Sequence, residues 1–311
     1  MAANIESMFY VREVPWHGLG NRVEEALSSE KALEMAEMNW RVVQKPIQTN
    51  DCQDIPGYKV NIRETDSRIL GVVTDRYKIV QNNEAFAFTD DLLGEGVKYE
   101  TAGSLQNGRK VWLLAKLPEN HTINEDTLTP YLVFSNSHDG SGSIKVAMTP
   151  IRVVCQNTLN LALRNAKRVW STTHKGDIKS KLDEAKKTIL LAEFYMERLK
   201  EEVERLNKIK LNDRKVIDYI EFLIPMPEKP SKLQEKNTKE LRDELKIRYF
   251  EAPDLGHVGK NAYRFINSVS DFATHSRPLR ETGTFRENLF FKTIEGNPII
   301  DKAYELIFAA V

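Results

Sequence analysis

The chain has 311 residues, 41% of them hydrophobic and 29% charged, with 45 basic side chains balanced by 45 acidic ones. That is the composition of a soluble globular protein of one large domain or two, and it excludes a disordered or collagen-like chain. No run approaches eighteen apolar residues and no basic-then-apolar leader opens the sequence, so neither a membrane span nor a secretory signal is expected and the chain reads as cytoplasmic. Cys52 and Cys155 show no CxxC or Cys/His ligand spacing, which argues against a zinc module.

The first half predicts an α+β fold. Ser28 or Ser29 can cap a short helix through Met38, and apolar, aromatic and β-branched residues collect into strands at 40–47, 58–63 and 69–74. The last two form a hairpin across Glu64-Thr65-Asp66-Ser67. Asn82 is placed to cap a helix over 83–93. Strands resume at 97–102 and 110–117, with a turn at Asn107-Gly108, and at 130–135 and 143–148, across the polar segment 136–142. Short turns between successive strands favour a mainly antiparallel sheet with inserted helices.

Thr149 and Pro150 have the chemistry of an N-cap and a first helical position, and predict a helix from there. At about 100° per residue, Ile151, Val154, Cys155, Thr158, Leu159 and Ala162 share one face, while Arg152, Gln156, Asn157, Asn160 and Arg164 share another. From Arg152 to Lys187 nine basic residues face three acids, a local net of +6, against −6 for residues 1–151 and zero for 188–311. A clustered basic stripe beside amides, Trp170 and His174 is the usual footprint of a polyanion partner, and equally of a solvated surface.

Beyond this the sequence turns helical. Leu182, Ala185, Ile189, Ala192, Met196, Leu199, Val203 and Leu206 alternate spacings of three and four, predicting a long amphipathic helix at about 178–209. Packing within the chain is the favoured use of that seam, an oligomer contact the other. Further helices are expected at 213–223, 236–250, 260–275 and 298–309, with the proline-rich segment 225–230 as a linker candidate. The division implied is a sheet domain at 1–175 and a helical region at 176–311.

Few motifs carry chemistry. GxxxxGK[ST], HExxH, GxSxG and EF-hand patterns are absent, and Trp16-His17-Gly18-Leu19-Gly20 lacks the spacing of a dinucleotide loop. Glu84, Asp90 and Asp91 fall on one predicted helix, two turns apart, where solvated acids are the ordinary explanation. His138 and Asp139 could serve proton transfer or metal binding, but Asn, Asp and glycine in 136–142 equally make a self-bonded turn, which is the preferred reading. A His138 directed into the core would count against catalysis. A third use of this loop is phosphate contact by its serine and glycine amides. Tyr77, Phe86, Phe88, Tyr99, Trp112, Tyr131 and Phe134 lie on or beside these elements; most should be core, and any on an open sheet face would suit base stacking.

Pro15 to Gly20, Leu70 to Val73, Tyr77, Gln81 to Phe86, Thr101 to Gly103, Gly108-Arg109, Val111-Trp112, Asn136 to Ser141 and Thr149 to Leu159 together resemble the phage/plasmid-like proteins of the domain-of-unknown-function 932 group, over about residues 9–170. The resemblance implies a mobile-element context rather than a known activity. An analogy at the level of fold class connects it to single-strand annealing recombinases.

The leading expectation is therefore a non-enzymatic phage or plasmid DNA-metabolism protein that binds single-stranded nucleic acid and anneals strands. Arg152, Arg164, Lys167, Arg168 and Lys175 would neutralise phosphates, Gln156, Asn157 and Asn160 would hydrogen-bond, and His138 with Ser141 would form the rim. Neither metal nor nucleotide cofactor is required. The partner expected is single-stranded nucleic acid, with a homo-oligomer and a host or phage protein as further options and no membrane. Two rivals remain: a protein-interaction or counter-defence factor, and a metal-dependent enzyme using the His138-Asp139 loop.

Overall fold

A computed structural model describes residues 5–11, 21–94, 97–117, 121–123, 126–152, 168–189, 192–276, 292 and 296–309. Eleven strands and eight helices are found among them. The strands are β1 (Ile5–Val11), β2 (Asn21–Val23), β3 (Val42–Gln48), β4 (Asp54–Arg63), β5 (Arg68–Thr74), β6 (Lys98–Leu105), β7 (Lys110–Lys116), β8 (His121–Ile123), β9 (Asp126–Ser137), β10 (Ile144–Arg152) and β11 (Val169–Thr172). The helices are α1 (Ser29–Met35), α2 (Asn82–Leu93), α3 (Ile178–Ile189), α4 (Ala192–Lys208), α5 (Asp213–Leu223), α6 (Lys232–Phe250), α7 (Ala262–His275) and α8 (Pro298–Ala309).

Eight strands form one mostly antiparallel sheet in the order β11-β10-β9-β7-β6-β1-β2, with β8 also on β9, and β3-β4-β5 form a separate antiparallel sheet. The fold is α+β with a C-terminal helical region, as the turn spacing implied. Alternation builds the large sheet's core face: Val111, Leu113 and Ala115 of β7, Leu132 and Phe134 of β9, and Ile144, Val146 and Met148 of β10 are buried in the main apolar cluster. Helices α1 and α2 lie against β6 and β7, α3 against β10 and β11, and α4 against β8 and α7. The same cluster continues through Met196, Leu199, Val203 and Leu206 to Phe265 of α7 and Ile307 of α8. The amphipathic seam thus packs inside the chain. It is carried by two helical segments, with residues 190 and 191 outside the described residues.

Capping explains where the later helices start: the Asn212, Ser231 and Asn261 side chains accept hydrogen bonds from the N–H groups of Lys215, Gln234 and Arg264. The proline-rich segment 225–230 connects α5 to α6, two helices that pack on each other. The first two helices differ slightly from expectation. α1 stops at Met35, and Gln81 rather than Asn82 is the cap of α2, because Asn82 is buried and bonded elsewhere.

The predicted helix start at Thr149 is overturned. Thr149 to Arg152 continue β10, in register with Tyr131 to Leu128 of β9, Pro150 opposite Pro130. Both prolines sit where a neighbouring strand has run out: β11 pairs β10 only as far as Ala147, and β7 pairs β9 only as far as Tyr131. A missing N–H costs no ladder bond at such places, so the cap-and-proline pattern loses to sheet pairing. Residues 153–167, the rest of that predicted helix, lie outside the described residues, as do residues 12–20.

Candidate functional site

In the segment 136–142, Asn136, Ser137 and His138 are buried while Gly140, Ser141 and Gly142 are exposed. Asn136 Nδ2 donates to Val80 O at 2.9 Å, its Oδ1 accepts from Ser137 N at 2.9 Å, and Asp139 Oδ1 accepts from Ser137 Oγ at 2.5 Å and Ser141 N at 2.8 Å. This is the self-bonded turn. Burial pushes the Asp139 carboxyl up, but the hydrogen bonds from Ser137 and Ser141 outweigh it and hold it below the usual range. The small sheet and the segment that follows it hold this stretch: Asn61 Nδ2 of β4 donates to His138 O at 2.7 Å, and the hydroxyl of Tyr77, between β5 and α2, donates to Ser137 O. A Cβ at Gly71 would stand 2.6 Å from Asp139 Cα, so only glycine lets β5 approach this closely. Arg63 fixes the same sheet to β1 through paired hydrogen bonds to Glu6, both at 2.8 Å.

His138 is wholly buried, edge-on to Trp40 with ring centroids 5.4 Å apart. Asn82 Nδ2 donates to Met38 O at 3.0 Å, which turns its Oδ1 toward His138 Nε2 at 3.1 Å and assigns the ring proton to Nε2. Burial, reinforced by His174 and opposed by Asp139, pushes the imidazole down to about 3. A ring that is neutral and sealed from solvent neither lines a rim nor passes protons to an outside substrate. The expected place of His138 in a binding rim is therefore corrected, and the enzyme reading loses its proposed proton carrier.

The other predicted site residues scatter. Arg152 ends β10, with nothing described of its side chain, and Gln156, Asn157, Asn160, Arg164 and Lys167 lie outside the described residues. Arg168, expected to be exposed, is half-buried: its Nη1 donates to Met148 O at 3.0 Å, and burial lowers its pKa despite Tyr195 and Asp301. Lys175 and Ser141 are exposed. Downstream, Lys181 Nζ donates to Lys175 O at 2.6 Å and Lys186 pairs with Asp91, so part of the stripe serves local structure.

A different basic surface assembles on the large sheet's second face, opposite the main core. Register sets Lys98 beside Lys116, Lys116 beside Tyr131, Trp112 between Gly103 and Ser135, and Ser135 beside Lys145. Lys98, Lys110, Lys116 and Lys145 thus share one face with Trp112, Tyr131 and Tyr10, while Glu100 is the extra residue of an irregularity in β6. The two small apolar clusters on this face, Met8-Leu105-Trp112 and Val133-Ala147 with Leu114 and Val169, contain sheet residues only. A Cβ at Gly103 would lie 2.9 Å from the Trp112 indole and 2.4 Å from Ser7 O, so the glycine gives the indole its place. A cavity of about 270 Å³ opens here, lined among others by Lys110, Trp112, Ser135, Ser137, Ser143 and Lys145. Burial, then repulsion from Lys110, holds the Lys145 ammonium below its ordinary value.

Sequence reasoning placed a strand at 110–117 and singled out Trp112 and Ser141, but missed these lysines. Their signal was the alternation Lys110-Trp112-Leu114-Lys116. Of the seven aromatics considered, Tyr77, Phe86, Phe88, Tyr99 and Phe134 are in the interior on the core side, while Trp112 and Tyr131 are on the second face, Trp112 buried at 4% exposure and Tyr131 half-buried. Among the described residues no group of three or more His, Cys, Asp or Glu is arranged to hold a metal ion, and no helix is long and apolar enough to cross a membrane.

Fold and surface together define an α+β protein whose sheet is covered by helices on one side and carries lysines, serines and aromatics on the other. The chain belongs to the family described as domain of unknown function (DUF932), whose model matches residues 69–290. The match runs from β5 past α7, beyond the C-terminal end of the motifs that carried the resemblance, and takes in neither Pro15 to Gly20 nor α8. No curated protein and no solved structure matches the chain.

Proposed function

We propose that this protein binds single-stranded nucleic acid, DNA foremost, on the second face of its large sheet, and serves phage or plasmid DNA metabolism in the cytoplasm, including strand annealing, without catalysis of its own. The observation that carries this reading is the gathering of four lysines and the half-buried rings of Tyr10 and Tyr131, beside the buried Trp112, on one sheet face by strand register. Lysines track phosphates and rings stack on bases of any sequence, the combination used by sequence-tolerant single-strand binders.

The test is fluorescence anisotropy of labelled single-stranded DNA across a salt series. Affinity should fall with a log–log slope of about −0.7 for each phosphate engaged, near −3 if all four lysines take part. A flat salt response would overturn the proposal. The protein-interaction reading is supported by a separate feature: the outer face of the small sheet exposes Tyr58, Ile69 and Val72 at 52%, 59% and 59%. A protein that captures no oligonucleotide at any salt concentration would favour that reading.

A further inference from the structure

We infer that the outer face of the three-stranded sheet is a docking surface for one amphipathic helix of a partner protein, a helix that carries an acid beside its apolar stripe. The inference stands beside the nucleic-acid reading and does not rest on it, since the two surfaces belong to different sheets. Strand register builds the face in rows: Val43, Ile62 and Ile69 in one, Lys45, Val60 and Val72 in the next, and Tyr58 with Thr74 in the third. The alternate positions point inward, Asn61 to His138 O and Gly71 against Asp139, so these rows point away from the rest of the molecule. Tyr58, Ile69 and Val72 are more than half exposed, and the half-buried Val43, Val60 and Ile62 are outside the main cluster and the residues packed on it.

Edge chemistry, size and charge select the occupant. The β3 edge is closed to a further strand, because the Gln81 side chain bonds Val42 N and O at 2.9 and 2.8 Å and Pro46 has no N–H. The β5 edge is broken at Leu70, the extra residue where the register of β4 and β5 shifts. A partner therefore lies on the face. Its outer strands are about 10 Å apart, the width of one helix with its side chains, and the rows span roughly 14 Å, between two and three helical turns. A stable dimer buries about 800 Å² on each partner, and a strip of that size supplies a fraction of it. A second copy is also poorly matched in charge: a two-fold axis across the strands through Val60 lays Lys45 on the second copy's Lys45, and an axis along β4 lays it on Val72. Lys45 is exposed, and among the described residues no carboxylate pairs with it. Its complement is a carboxylate on the incoming helix, beside a stripe at i, i+3, i+4 and i+7 that covers Ile69, Val72, Val60 and Tyr58.

The experiment displays a library of helix-forming peptides of about 14 residues on phage, selects it on the full chain and counter-selects it on Val72→Glu, a change at an exposed position. Support comes from enriched peptides with apolar residues at helical spacing and an Asp or Glu flank, bound about tenfold more weakly by Val72→Glu and by Ile69→Glu while both variants keep the parent's thermal unfolding. Lys45→Glu should lose these peptides and bind versions with Lys in place of the acid; indifference to that exchange overturns the acidic complement. No enrichment, or peptides that bind Val72→Glu as well as the parent, overturns the surface. A parent dimer in sedimentation that Val72→Glu splits makes a second copy the occupant, and flotation with phosphatidylglycerol vesicles that Val72→Glu abolishes makes it a lipid surface; either result overturns the helix. Oligonucleotide affinity is measured on the same variant. Its loss in folded Val72→Glu would place the strand on this face and overturn both assignments, whereas an unchanged value leaves the nucleic-acid reading intact whatever the peptides do.

Discussion

The two faces of the eight-stranded sheet are made from the same strands and differ in what burial requires of them. On the core face several polar groups are held by partners of fixed geometry: Asn136 Nδ2, Asn82 Nδ2 and the Tyr77 hydroxyl all donate to backbone carbonyls. On the second face the polar groups are lysines and serines that gather around a concavity. Of the chemically suggestive residues of the sequence, His138 is sealed in the first and Asp139 is spent on its own turn, while the lysines stand on the second. An unusual side chain in a loop is therefore weak evidence of function until its burial is known.

Perturbing the helical layer over the core face should have the largest effect. Met196 is 1% exposed within the main cluster, so Met196→Glu buries an unpaired carboxylate and should cost about 4 kcal/mol or more. Loss of cooperative thermal unfolding, or aggregation, is the expected result. Release of a folded monomer from an oligomer would show that the seam joins chains instead.

Acid should act nearly as strongly, through His138. The unfolded ring takes up a proton near pH 6.5, whereas the folded one holds out to about 3. Stability is thus full above pH 6.5 and is lost as pH falls from there through the folded value, by on the order of 4 kcal/mol at pH 3. His174, also lowered by burial, adds in the same direction. Urea unfolding at stepped pH should show this slope, shallower in His138→Asn; a slope unchanged by that substitution would remove His138 as its source.

Asn82→Leu should cost less, about 2 to 3 kcal/mol, because it strands the His138 Nε2–H and leaves Met38 O short of a donor. Denaturant midpoints measure this. Lys110→Gln with Lys145→Gln should have the smallest effect on stability, within about 0.5 kcal/mol, since neither side chain belongs to the apolar core. A marked loss of stability in that pair would mean that the second face is structural and blur the contrast between the faces.

Local signals made much of this fold legible. The helices from Asp213 to Leu223 and from Pro298 to Ala309 follow from periodicity and punctuation, and the β4–β5 hairpin from its polar loop. What local chemistry could not show was long-range pairing. Thr149-Pro150 has the form of a helix start, yet its pairing with β9 places it in a strand. Lys98, Lys110, Lys116 and Lys145 lie in the net-acidic half of the sequence, up to 47 positions apart, and become one surface only through the register of four strands. The burial of His138 depends equally on distant residues, Asn61, Asn82 and Gly71.

Lysine footprinting by acetylation and mass spectrometry, with and without single-stranded DNA, tests the central claim most directly. Lys98, Lys110, Lys116 and Lys145 should become protected together, while Lys45 and Lys59 of the small sheet and Lys236 and Lys239 of α6 react as before. Protection confined to the small sheet or the helical layer, with those four lysines unchanged, would contradict the account.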